Sequence, residues 1–249
     1  MYENLGGRLC IDDMARTAIF SKFHFSRVFH QVTGLSPGRF LSAIRLQAAK
    51  RLLCSTSLSV TDICFEVGYN SVGTFSSRFK ATVGVSPSLY RQRCGLVSRL
   101  RVSRRSDWGT SSTLVEGEVW LPDMNVGSIF VGAFPEPIMQ GLPIRYHVLH
   151  QPGPYALDDL PRGTWHILAT ASFPGEEGSV RDPVHDDPPP VVAACGPVVV
   201  GHPGAQLSAD LHLRPMRITD PPVLLALPDV RWSYEPAEDL AEDLIEHSA

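Results

Sequence analysis

Phe25-Ser26-Arg27-Val28-Phe29, followed by Gly34-Leu35-Ser36-Pro37, returns fifty residues later as Phe75-Ser76-Ser77-Arg78-Phe79, followed by Gly84-Val85-Ser86-Pro87. Ahead of the two copies stand Asp13-Met14-Ala15 and Asp62-Ile63-Cys64. A small helical unit that occurs twice in one chain suits a partner that itself repeats along its length, and the grooves of double-stranded DNA repeat in this way.

Working outward from the repeat, the pattern predicts helices. Leu9–Ala18 carries Ile11, Met14, Ala15 and Ala18 on one stripe. Ser21 caps a second helix to about Val32, with Phe25, Val28, Phe29 and Val32 expected inward at i, i+3, i+4 and i+7. Gly34 ends it, because glycine tolerates the left-handed turn after a helix. Ser36 and Pro37 then suit the cap and first turn of a long helix to about Leu53. The plan repeats: Ser59 before Val60–Val67, Gly68 at a turn, Ser71 before Val72–Thr82, Gly84 at the end, then Ser86-Pro87 before a short helix ending near Arg93. Two helices joined by a short turn, twice, is a tandem helix-turn-helix, with the long helix as a rigid spacer.

Charge divides the chain at the same place. Residues 1–105 hold 16 Lys and Arg against 5 Asp and Glu, a net of +11. Residues 106–249 hold 6 against 21, a net of −15, so the overall −4 conceals a basic half joined to an acidic one. A basic half of this kind favours a polyanionic partner.

Residues 9–93 resemble the DNA-binding domain of AraC/XylS-type transcription regulators. The likeness rests on Asp13-Met14-Ala15, Ser21, His24-Phe25-Ser26-Arg27, Phe29, Gly34, Ser36-Pro37, Asp62-Ile63-Cys64, Val67-Gly68-Tyr69, Phe75, Arg78-Phe79, Gly84, Ser86-Pro87 and Tyr90-Arg91. It implies seven helices, two of them recognition helices in successive major grooves, and promoter DNA as ligand, with RNA polymerase a candidate second partner. Carried over by position, the first base-reading face is Lys22, Phe23, Ser26 and Arg27, and the second is Val72, Gly73, Ser76 and Ser77. Arg27 suits a guanine edge through its planar fork, a phosphate or carboxylate being the alternative. Lys50, Arg51, Arg78, Lys80, Arg91 and Arg93 are candidate phosphate contacts, with a solvated charge the plain alternative for each. Two departures stand out: Ile19 occupies the first turn where glycine is usual, and Ser77 stands where arginine is usual.

Beyond residue 112 the period changes from helix to strand. Leu114–Trp120, Ser128–Phe134, Ile144–Leu149, Gly153–Leu157, Thr164–Thr170, Val191–Ala194, Val198–Val200 and Gln206–Leu213 are short alternating or β-branched runs punctuated by Pro and Gly. They predict an all-β sandwich with Val119, Ile129, Val131, Tyr155, Leu157, Trp165, Ile167, Ala169 and Leu211 in its core. Part of the run, Gly153 to Ala169 above all, resembles the prealbumin-like sandwich of carboxypeptidase regulatory domains, which implies packing or partner binding. The expected architecture is two domains: an all-α tandem helix-turn-helix at 1–94, a basic linker at 95–112, an all-β sandwich at 113–231, and an acidic tail at 232–249.

Other chemistries find less support. The five cysteines show no metal-binding spacing, and Cys54 and Cys64 fall in apolar helical patterns that predict buried thiols and a reducing compartment. Cys195 lies in Ala194-Cys195-Gly196-Pro197, without the Pro-Cys-His-Arg run of alkyl-accepting domains, and is expected as a buried strand cysteine. Asp182, His185, Asp186, Asp187 and His202 include metal-type ligands but fall around a Pro-rich loop. No apolar run reaches the roughly 20 residues of a membrane span, and no signal pattern opens the chain. The expectation is a cytoplasmic DNA-binding regulator rather than an enzyme, without metal or cofactor. Its sandwich would sense a small-molecule effector or protein partner, or shield the reader. A DNA-tethered enzyme or metal-binding protein is the alternative.

Overall fold

The computed structural model describes residues 1–7, 9–97, 113–121, 125–175, 180–186, 188–202 and 204–228. After a single 3-10 turn at Tyr2–Asn4 come six α-helices: α1 Ile11–Thr17, α2 Lys22–Thr33, α3 Pro37–Ser55, α4 Val60–Glu66, α5 Val72–Val83 and α6 Pro87–Gln92. All five expected capping serines occupy N-cap positions, but Ser36 makes no side-chain cap hydrogen bond. Ser21, Ser59, Ser71 and Ser86 each accept from the backbone N–H three residues on, offsetting donors that a helix start leaves unpaired. Gly34 and Gly84 close α2 and α5 at φ 73° and 98°. Where seven helices were implied, the first is here only the 3-10 turn, and the segment after it is held by Arg45, whose Nε and Nη2 donate to the carbonyls of Leu5 and Gly7 at 2.9 and 2.8 Å.

Three expectations about burial fail. Val32 is 60% exposed, and Thr33 takes the inward place instead, its hydroxyl donating to the Phe29 carbonyl at 2.8 Å. Cys54 is exposed, Cys64 is buried as expected, and Cys195 is only half-buried.

The C-terminal region is built of strands: β2 Leu114–Trp120, β3 Ile129–Phe134, β4 Arg145–Leu149, β5 Gly153–Asp158, β6 Gly163–Ala171, β7 Val191–Val200, β8 Gln206–Ser208, β9 Leu211–His212 and β10 Arg214–Pro215. One sheet runs β10-β7-β6-β3-β4, and a second runs β5-β2-β8 with β9 also on β2. All nine residues expected in the core lie in one buried cluster that draws on both sheets. Two further short strands, β1 Leu96–Val97 and β11 Leu227–Pro228, pair in parallel. The start of the expected linker is therefore stitched into the fold. Its remainder, 98–112, and the acidic tail, 232–249, lie outside the described residues.

The two halves share a core. The cluster around α3 includes Phe75, Phe79 and Tyr90 from the helices and Phe130, Phe134, Ile138, Met139, Leu168, Leu224 and Leu225 from the strand-rich half. Polar links reinforce it. Gly141 N–H donates to the Thr82 carbonyl at 2.6 Å, and Ala226 N–H to the Val83 carbonyl at 3.0 Å. Arg39 forms a two-pronged ion pair with Glu136, and Arg51 pairs with Asp182 at 2.6 Å. Basic and acidic halves thus meet through opposite charges.

Candidate nucleic-acid interface

Both recognition-type helices turn aromatic residues inward and leave their other side open. In α5, Phe75 and Phe79 are fully buried, and the ring series Tyr69, Phe75, Phe79, Tyr90 runs in contacts of 5.4 to 5.7 Å. In α2, Phe25 and Phe29 are only half-buried, and Phe29 meets Phe40 edge-on at 5.4 Å. The opposite face of α2 carries exposed Lys22, Phe23 and Arg27, Phe23 being 86% exposed. A fully exposed phenylalanine loses apolar contact with its own protein and gains it on meeting a partner surface. Ser26 is half-buried and its hydroxyl donates to the Lys22 carbonyl at 2.8 Å, which satisfies it within the helix. Lys22 reaches Asp12 on α1 at 3.3 Å, a surface pair worth little in water. On α5, Gly73 and Ser77 are exposed, whereas Val72 and Ser76 are half-buried. The structure therefore brings Lys22, Phe23 and Arg27 to one open face, with Gly73 and Ser77 on the corresponding face of the second unit.

This helical unit matches one known domain. The family model described as a helix-turn-helix domain matches residues 14–93. Residues 14–93 are a helix-turn-helix domain of the AraC/XylS type. The HTH-type transcriptional activator AarP of Providencia stuartii is 40% identical over 88 residues, which is 35% of this chain and 65% of that one. An HTH-type transcriptional regulator of Haemophilus influenzae is 44% identical over 86 residues, 34% of this chain and 29% of that protein. The chain thus spans just under two thirds of the first relative and under a third of the second. Among solved structures, an AraC-type DNA-binding-domain regulator from Chromobacterium violaceum has 30% identity, covers 36% of this chain and 84% of that one, and superposes with a TM-score of 0.35.

Within the AraC/XylS-type domain the candidate phosphate contacts divide. Lys80 and Arg93 are exposed. Arg78 is exposed and donates to the Ser42 hydroxyl at 3.0 Å. Arg91 is turned toward the protein itself. Its Nε and Nη2 donate to the carbonyls of Leu53 and Leu58 at 3.1 and 2.6 Å, tying off the end of α3. Lys50 is a clear correction. It is 4% exposed, and its Nζ donates to the Val223 and Leu225 carbonyls at 2.8 and 3.3 Å, so it lies out of reach of a DNA backbone. Burial pulls its pKa down to about 7. Arg51 is also engaged, by Asp182. Burial alone would push the Asp182 carboxyl up, but hydrogen bonds from the His185 side chain and from the backbone of Val184 and His185 outweigh it and hold the carboxyl below its usual range.

Sequence periodicity could not foresee these reassignments. Gln47, Lys50 and Arg51 look like the polar side of a solvated spacer helix, and only a second body packed on α3 makes them interface residues. The one available hint was that α3 is rich in apolar residues around its whole circumference, which marks a helix buried on more than one side. No described helix is long and apolar enough to cross a membrane.

Proposed function

We propose that this chain is a sequence-specific, DNA-binding transcription regulator that sets α2 and α5 into successive major grooves of a double-stranded promoter. The observation that carries the reading is the pair of matched helices, capped alike, sharing one core with α3, each with an open outer face. The 19-residue α3 is about 28 Å long at the usual rise. That is close to the roughly 34 Å between successive major-groove faces. Lys22, Phe23 and Arg27 supply charge, an apolar contact for a thymine methyl and a guanine-reading fork. Gly73 and Ser77 are small and favour close approach and shape reading. Ser26, Val72 and Ser76 act from the half-buried margin, and Arg78, Lys80 and Arg93 face phosphates. RNA polymerase as a second partner rests on the naming of a relative as a transcriptional activator.

The strand-rich half is read as a β-sandwich that senses an effector or partner. A shield over the reader is less favoured, because the described contacts of that half fall on α3 and on the ends of α2 and α5, not on Phe23, Arg27 or Ser77. Selection of bound sequences from a random duplex library tests the main reading. Two enriched half-sites about 10 base pairs apart are expected. Arg27→Ala should lose preference at one base position, worth about 1–3 kcal/mol. No enrichment over scrambled competitor would overturn the proposal, and a uniform loss across all sequences would reassign Arg27 to a phosphate.

A further inference from the structure

A cavity of about 70 Å³ lies where α3 meets the strand-rich half. Gln47 and Lys50 line it from one helix face, three residues apart, opposite Thr170, Phe173, Arg181 and Val223. Both helix residues are more than nine-tenths buried, Gln47 being 8% and Lys50 4% exposed. Gln47 Nε2 donates to the Arg181 carbonyl at 2.7 Å, which fixes the amide's orientation. Its Oε1 is then a buried acceptor without a hydrogen-bond partner among the described residues. A buried acceptor left this way is destabilising, which favours a donor arriving from outside. Lys50 Nζ spends two donors on the carbonyls of Val223 and Leu225, and an ammonium has a third. The described lining contains two cationic side chains, Lys50 and Arg181, and no carboxylate.

We propose that this cavity binds a compact 2-hydroxycarboxylate, its hydroxyl donating to Gln47 Oε1 and its carboxylate accepting from Lys50 Nζ. The cavity is under half the roughly 150 Å³ that takes benzene, so it restricts the ligand to the smallest members of that class, such as glycolate. The site deepens the sensor reading of the strand-rich half, yet it is measured without DNA. Because Lys50 titrates near 7, the carboxylate binds the charged form and affinity falls as pH rises above that value. The groups facing Lys50 are the Tyr90 ring at 5.7 Å, Cys54 on its own helix and Arg181 across the cavity. Burial holds the Tyr90 phenol above its ordinary pKa, and desolvation of the sulfur does the same for the Cys54 thiol although the residue as a whole is exposed, so the lysine carries the change near neutrality.

Calorimetry of the full chain with glycolate and lactate, against acetate and propionate, tests the site. Hydroxy acids should bind at least about 5-fold more tightly than their deoxy counterparts. Affinity for glycolate should fall about tenfold between pH 7.5 and 8.5. Lys50→Met should abolish carboxylate binding, and Gln47→Leu should erase the preference for the hydroxyl. Should either variant unfold, the Gln47 side-chain amide resonances of the unaltered chain serve instead, and they should shift saturably with glycolate. Absent saturation, equal affinity for acetate and glycolate, binding untouched by both folded variants, or a crystal structure at saturating glycolate with only water beside Gln47 would each overturn the proposal. Library selection on the same preparation reports separately on DNA reading, so either idea can fail alone.

Discussion

The two helix-turn-helix units share a pattern but not a texture. In the second, Phe75 and Phe79 are sealed within the core and joined to Tyr69 and Tyr90. In the first, Phe25 and Phe29 are half-buried, while Ile19, Phe20 and Phe23 stand 91%, 42% and 86% exposed. The turns differ in the same sense. Gly68 sits at φ 84° beneath the N-terminal segment, where a Cβ would lie 2.5 Å from the Leu5 carbonyl oxygen. Ile19 adopts a similar left-handed φ of 59° but projects into solvent. The outer faces reverse the balance: the loose unit presents Lys22, Phe23 and Arg27, the tight one Gly73 and Ser77. A repeat can thus divide its labour, one copy anchoring the fold while the other keeps chemically distinctive side chains available.

The comparison can be broken most forcefully in the core. Phe79→Ala should cost about 3–5 kcal/mol, the usual range for a buried aromatic, and Phe29→Ala roughly half as much. Equal losses in urea unfolding would mean the two units are packed alike. Next in size, Gly68→Ala should destabilise by more than about 1 kcal/mol, since it adds backbone strain to a steric clash. Thermal unfolding of that variant at or above the parent's midpoint would contradict the tight second turn. Ile19→Gly should act in the opposite direction, raising stability by about 0.5–1 kcal/mol, because a β-branched residue is costly at positive φ and this one buries almost nothing. A loss of stability would show that Ile19 is packed. Smallest of all, Asp12→Asn should change stability by less than about 0.5 kcal/mol, as expected for an exposed pair, and a larger change in denaturant midpoint would mark the Asp12–Lys22 contact as structural.

The helical half was readable from local chemistry. Serine caps, Gly34 and Gly84, and Pro37 and Pro87 each act within a few residues of themselves, so helix ends fell where those residues stand. Strand positions were readable through alternation, and the nine residues expected in the strand core are buried together. Val32 and Cys54 misled because a helix's inward stripe is only as wide as the body packed against it. Thr33 and Lys50 took buried places instead, supported by carbonyl partners that no periodicity reveals.

What the sequence by itself determined was the duplicated helical unit, its capping, the switch to strands and the division of charge, since all of these depend on neighbours along the chain. Only the tertiary structure decided that α3 is shared between the two halves, that Lys50, Arg51 and Arg91 have protein carbonyls or a carboxylate as partners, and that Gln47 keeps an unanswered acceptor at a cavity wall. The physical reason is that these outcomes rest on burial and hydrogen-bond partners more than thirty residues away in sequence, where a lysine's surroundings, not its identity, set whether its charge faces water, phosphate or the interior.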